Sequence, residues 1–301
     1  VGANGLFQMG TSLAILVGMI VAGILTQLSQ SLYWISATVL VVAVLGYLAA
    51  RYIPTMAAMQ PDLKINWNII TTSLATVRYL YSLPFLFFII LGNSWFWFYG
   101  ATFLTQVPEF SKVILLGDES VVIFLLTLFS VGVSIGSVLC KTLTRNKVSL
   151  RLLPFGIAGL SIFAIDLYFS LSGLDINVNN DTLLGIGDLF NISGSWRVFA
   201  DLFLLGFSGG LYIVPLYASM QAYAPKSHRA RIVGANNIFN AIFMVTSAIF
   251  AIVILNVLGF TLPQLFLVTG LLNIVFGAFL YIKLNKHIKH AVIQTNDGIA
   301  P

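Results

Sequence analysis

Residues 1–8 read VGANGLFQ and residues 233–240 read VGANNIFN; both strings open a hydrophobic span, and each is followed by one further span. Between them lie four more spans with no counterpart ahead of residue 1. The chain therefore reads as two helices of one half followed by six of another, and the natural parent is a twelve-helix bundle of two six-helix repeats lacking its first four helices. A shared four-residue string arises by chance about once in a chain of this size and bias. The matching topological position is what gives it weight.

The composition places those spans in a membrane. Hydrophobic residues make up 58% of the 301-residue chain and charged residues 8%, far from the balance of a water-soluble domain. Apolar runs of about 20 residues, enough to cross a bilayer as helices, fall at 6–26, 31–53, 82–106, 119–141, 152–173, 198–222, 232–256 and 261–283. The expected fold is an all-α membrane protein of eight transmembrane helices; a β-barrel would show short alternating segments instead. The first span lacks the basic lead and small-residue cleavage site of a signal peptide, so the chain reads as a segment of something longer.

The net charge of +5 follows the membrane and is no nucleic-acid footprint. Arg51, Lys64 and Arg78, then Lys141, Arg145, Lys147 and Arg151, then Lys226, Arg229 and Arg231, and finally Lys283, Lys286 and Lys289 all fall on one side. The other side holds Lys112 and Arg197 among Glu109, Asp118, Glu119, Asp175, Asp181 and Asp188. The positive-inside rule puts both ends of the chain in the cytoplasm. Cys140 is the single cysteine, which excludes an intrachain disulfide.

Four segments follow: 1–53, the last two helices of a first half; 54–81, a central cytoplasmic linker; 82–283, a six-helix second half; and 284–301, a cytoplasmic tail. Within the linker, Ile69, Leu74, Val77 and Leu80 recur at helical spacing, read either as an interfacial amphipathic helix or as a loop running into the third span. The Gly, Asn and Asp-rich stretch 174–197 is an external loop.

Few residues in the spans carry chemistry. Asp166, in SIFAIDLYFS, is an acidic side chain well inside a span, where a charge costs about 2.5 to 3.5 kcal/mol. It is either a proton-coupling carboxylate or, lying near the outer end of its span, the partner of Arg197. The third span carries GNSWFWFYGATFLTQ, in which Asn93 is joined by Tyr99, Thr102 and Gln106 on one helical face. That face lines a cavity for a polar head group, with Trp95, Trp97 and Phe98 offering apolar surface, or else it belongs to an aromatic belt with interhelical hydrogen bonds.

Asn236 and Asn240 sit one turn apart at the start of the seventh span, matched by Asn4 and Gln8 in the first, and make either a gate or static interhelical glue. Arg229 and Arg231 precede them, suited to an anionic phosphate and equally explained by positive-inside bias. Gly132 and Gly136 form a small-xxx-small step in the fourth span, and Gly206, Gly209, Gly210 and Pro215 make the sixth bendable. The phosphate-binding Gly-rich loop, the paired zinc histidines and the nucleophile elbow are absent from the sequence, and His228, His287 and His290 lie in loop or tail.

Four stretches, GNSWFWFYGATFLTQVPEF, GSVLCKTLTRNKVSLRLLPFGIAGLSIFAIDL, GFSGGLYIVPLYASMQ and HRARIVGANNIFNAIFMV, together resemble the major facilitator superfamily. Within it they are similar to the bacterial lysophospholipid transporters, including the transporter half of fused 2-acylglycerophosphoethanolamine acyltransferases. The resemblance implies inward movement of lysophospholipids such as lysophosphatidylethanolamine across the inner membrane by alternating access, without a prosthetic group, for reacylation by a cytoplasmic acyltransferase. It places Asp166 in the family-like fifth span and Arg229, Arg231, Asn236 and Asn237 in the family-like entry to the seventh. Absence of an acyltransferase domain after the tail argues against enzymatic activity, and absence of four helices puts transport by this chain alone in question. A proton-coupled exporter of small amphiphiles and a non-transporting membrane partner of an acyltransferase are the alternatives.

Overall fold

The computed structural model describes residues 2–28, 32–54, 67–145, 147–174 and 183–296. It contains ten α-helices among them: α1 (Gly2–Leu28), α2 (Leu32–Ala50), α3 (Ile69–Tyr81), α4 (Pro84–Glu109), α5 (Glu119–Leu143), α6 (Leu153–Ser172), α7 (Ile186–Asn191), α8 (Ser195–Tyr223), α9 (Arg229–Ile252) and α10 (Leu262–Asn296). Seven helical segments are long and apolar enough to cross a membrane, from Tyr33–Ala50 to Leu262–Lys286, and they match the second to eighth expected spans. The first span lies in α1, whose apolar stretch Met9–Leu25 is shorter.

Local chemistry sets the helix ends. Pro84 and Pro154 open α4 and α6, where a missing N–H costs nothing. Asp118 caps α5 by accepting from the N–H groups of Ser120 and Val121 at 2.9 and 3.2 Å. Asn68 caps α3 by accepting from Thr71 N at 3.0 Å, so the linker does contain a helix. Its buried face carries Thr76 and Leu80, whereas Leu74 is exposed beside Ile70. The expected stripe through Leu74 is thus split between two faces. Pro108 denies a hydrogen bond to the carbonyl of Leu104, and α4 passes into a π turn at Phe110–Ile114.

α8 is the pivot of the bundle, 78% buried along its spanning window and packed between α5 and α6. α4 packs on α9, α8 and α10, and α10 closes onto α6. α1 lies along α5, while α2 touches α1 and exposes its whole spanning window.

The α5–α8 seam shows how sequence sets distance. A methyl group placed on Gly132 or Gly136 would sit 2.2 or 2.1 Å from the carbonyl oxygens of Phe203 and Phe207. One on Gly206 or Gly210 would sit 2.1 or 2.5 Å from those of Phe129 and Val133. Two small-xxx-small steps therefore face each other, and the backbones approach because no Cβ intervenes. In this helix, Gly206 and Gly210 serve that close approach; Gly209 faces the ring of Phe96.

Candidate functional site

Where α1 leans on the six-helix unit, a cavity of about 210 Å³ opens between four helices. α4 supplies Phe96, Trp97 and Ala101, α5 supplies Phe129, and α1 and α9 close it with Ile15 and Met244. Thr11, Ser130 and Thr105 are the hydroxyl side chains on its wall, and among the described residues no charged side chain lines it. A water-poor slot of this kind accepts a hydrocarbon chain and disfavours an ion. Trp97 is the member of the expected aromatic trio that faces it. Trp95 stacks on Phe276 at 4.2 Å and on Phe98 at 4.9 Å inside the bundle.

Through Trp97 this cavity adjoins a buried amide network. Asn93 Nδ2 donates to Asn236 Oδ1 at 3.0 Å, and Ser94 Oγ lies 2.9 Å from the amide of Asn240. With the Asn240 amide turned to satisfy its neighbours, its oxygen accepts from Asn236 Nδ2 at 3.0 Å and from Trp97 Nε1 at 3.1 Å. Trp97 Nε1 also lies 3.2 Å from Tyr217 Oη. Asn93 and Asn236 are at most 1% exposed, and Asn93 Oδ1 has no partner. The network ties α4 to α9 one turn below Met244, linking the cavity wall to the entry of α9. Asn237 points outward and is exposed, as are Arg229 and Arg231. The side chains of Asn4 and Gln8 lie outside the described residues.

Tyr99 and Thr102 are each 1% exposed and bonded internally: Tyr99 Oη donates to Leu160 O at 2.7 Å, and Thr102 Oγ1 to Phe98 O at 2.9 Å. Only Gln106 of that face reaches open space. It lines a second cavity of about 710 Å³ at the opposite end of α4, with Glu109, Asn256 and Thr261, and its Oε1 is buried without a partner.

Asp166 is ion-paired. Arg197 Nε donates to Asp166 Oδ2 at 3.0 Å and Arg197 Nη2 to Asp166 Oδ1, with the Asp166 side chain 35% exposed. The buried carboxylate of the bundle is instead Asp201, 2% exposed, which accepts from Ser170 Oγ at 2.9 Å. Asp201 lies one turn beyond Arg197 in the sixth span, inside the stretch 198–222, and the sequence reading passed over it. The spacing was a usable signal: Arg197 and Asp201 are four apart, which puts both on the α8 face that meets α6.

The fold and cavities define the class: a multi-pass helical membrane protein with an apolar slot between α1, α4, α5 and α9. No family model matches the chain, and no solved structure matches it. Among characterised proteins it is similar to lysophospholipid transporters. It is 30% identical over 246 residues to Lysophospholipid transporter LplT of Escherichia coli O1:K1 / APEC, covering 79% of this chain and 53% of that protein. The same name, identity and coverage apply to the protein from Shigella boydii serotype 4 (strain Sb227), and 30% over 243 residues to that from Escherichia fergusonii. The resemblance read from the four stretches therefore holds, and the chain spans about half the length of the curated relatives it matches.

Proposed function

We propose that this chain is the cavity-bearing part of a lysophospholipid transporter of the bacterial inner membrane, moving lysolipids such as lysophosphatidylethanolamine by alternating access. The observation that carries the reading is the uncharged slot between α1, α4, α5 and α9, which suits a single acyl chain. The amide network beside it supplies polar groups near the slot, including the orphaned Asn93 Oδ1, for a head group or for closure. Basic residues on one side support a cytoplasmic location for both chain ends, where a separate acyltransferase would reacylate the delivered lysolipid. The chain itself is not proposed to be an enzyme.

The test is uptake of labelled lysophosphatidylethanolamine by proteoliposomes, using the chain alone and the chain joined to four upstream helices. Ala101→Trp, which fills the slot from a wall position, is run beside each. Uptake that Ala101→Trp abolishes in a normally folded protein supports the proposal; uptake in neither form, with folding intact, refutes it.

A further inference from the structure

At the basic end of the bundle, on the side away from the α1 slot, a cavity of about 420 Å³ lies among the ends of α4, α6, α8 and α10. Its polar wall is Ser149, Arg151, Ser219, Tyr223, Tyr281 and Asn285, and among the described residues no acidic side chain lines it. The volume falls within the range of about 300 to 1,000 Å³ usual for ligand sites.

Three independent observations point to an anionic ligand. Ser219 is 1% exposed, lines the cavity and makes no hydrogen bond among the described residues. Its hydroxyl is thus available to a ligand in the cavity. The first turn of α6, a 20-residue helix, opens at the cavity; Leu153 N donates to Leu150 O at 3.1 Å and Pro154 has no N–H, which leaves the N–H of Phe155 as the donor that turn can offer. Arg151 stands at that same turn without a carboxylate partner among the described residues, its guanidinium free to grip two oxygens of a phosphate.

The cavity does not end there. Pro154 and Tyr281 also border a groove of about 350 Å³ that runs along α6 and α10, lined by Ile157, Ala158, Ile162, Ile274 and Ala278. Ser161, the polar group in that groove, is spoken for: its Oγ accepts from Asn273 Nδ2 at 2.9 Å and donates to Ile157 O at 3.0 Å. The groove is therefore dry, and it joins a polar cavity at the membrane surface to an apolar channel at hydrocarbon depth. Gly277 sets its floor, since a Cβ there would meet Ile157 Cγ2 at 2.3 Å.

We propose that this composite site holds an intact phospholipid of the leaflet on the basic side, its phosphate on Arg151, Ser149 and Ser219 and one acyl chain in the α6–α10 groove. The lipid sits behind the bundle, apart from the α1 slot, and bridges the ends of four helices. The inference does not rest on the transport reading.

The test uses the full chain in nanodiscs containing a phosphatidylglycerol with a photoreactive diazirine on its acyl chain, with cross-linked peptides mapped by mass spectrometry. The expected result is labelling concentrated at Ile157, Ala158, Ile162, Ile274 and Ala278. Arg151→Ala should lower lipid retained through detergent exchange about tenfold, the equivalent of one charge-assisted hydrogen bond. Ala278→Trp should clear the label from the groove while Arg151→Lys keeps most of it. Arg151 and Ala278 are both exposed, so neither variant disturbs the core. Labelling spread evenly over all lipid-facing helices, or unchanged in both Arg151→Ala and Ala278→Trp, would overturn the proposal, as would retention of inorganic phosphate with no lipid.

Discussion

Gly136→Ala and Gly234→Ala are the same chemical change in two transmembrane helices, and the structure predicts opposite outcomes. At Gly136 the added methyl lies 2.1 Å from the Phe207 carbonyl oxygen, with the carbonyl carbon at 2.9 Å and Cα at 3.1 Å. Every one of these is backbone, so no rotamer change relieves the overlap. α5 and α8 must part by about 1 Å along a seam where native packing leaves no slack. Overpacking of this kind costs about 1 to 3 kcal/mol, and a rigid backbone clash belongs at the upper end. At Gly234 nothing lies within 4 Å of the added methyl. There the gain is about 0.5 to 1 kcal/mol from the lower backbone entropy of alanine. The two variants should therefore differ by about 4 kcal/mol with the wild type between them. Thermal unfolding in detergent, followed by tryptophan fluorescence, reads this as a fall of roughly 6 °C or more for Gly136→Ala and a small rise for Gly234→Ala. Adding Gly206→Ala to Gly136→Ala should cost less than the sum, since the first substitution already opens the shared seam. A Gly136→Ala protein melting with the wild type would refute the close α5–α8 contact and the reading of these glycines.

Two further predictions concern the buried polar groups. Asn236→Leu removes the acceptor of Asn93 Nδ2, leaving a fully buried amide whose oxygen is already orphaned. The loss should reach the upper end of membrane hydrogen-bond values, about 1.7 kcal/mol, and the double variant Asn93→Leu/Asn236→Leu should be more stable than the single in the same melting assay. Asp201→Asn keeps an oxygen for the Ser170 hydroxyl, so lysolipid uptake should stay within about twofold of wild type with an unaltered pH profile. A large loss, or a lost pH dependence, would instead assign proton coupling to Asp201 and favour the exporter reading.

Much of the helix layout was legible because the bilayer enforces it. An uninterrupted apolar run of about 20 residues has one stable solution in lipid, and prolines 84 and 154, with Asp118, mark helix starts by local chemistry alone. The small-xxx-small step at Gly132 and Gly136 was also readable, since glycine spacing reports contact directly. Its partner on α8 was read as flexibility, because nothing in one helix reveals which neighbour its glycines face. The polar face of α4 was readable as cavity wall or as interhelical hydrogen bonding, and periodicity within one helix cannot choose between them. Tyr99, Thr102 and Gln106 share one side by periodicity, yet that side meets α6 and α10 at Tyr99 and open space only at Gln106. The stripe on α3 broke apart for a related reason. Apolar periodicity there marks two surfaces, one against the bundle at Leu80 and one exposed at Ile70 and Leu74, and a single repeat cannot separate them.

The acidic residues carry that logic furthest. Depth along the chain singles out Asp166, which lies mid-run among apolar residues, whereas Asp201 sits near the start of its span and looks peripheral. In the folded bundle the order reverses. Arg197 reaches Asp166 from the preceding turn of α8 and holds it at a partly exposed edge, while Asp201 turns inward beneath the same arginine toward Ser170. The arginine thus grips the exposed carboxylate, while the buried one has the Ser170 hydroxyl and the neighbouring Asp166 carboxyl as its side-chain partners. A carboxylate's position along a span predicts its cost only if its helix faces lipid; once α8 is the buried pivot of the bundle, burial is decided by helix face and not by depth. The buried carboxylate of this bundle is therefore the residue that hydropathy alone passes over, and the apolar cavity is lined without it.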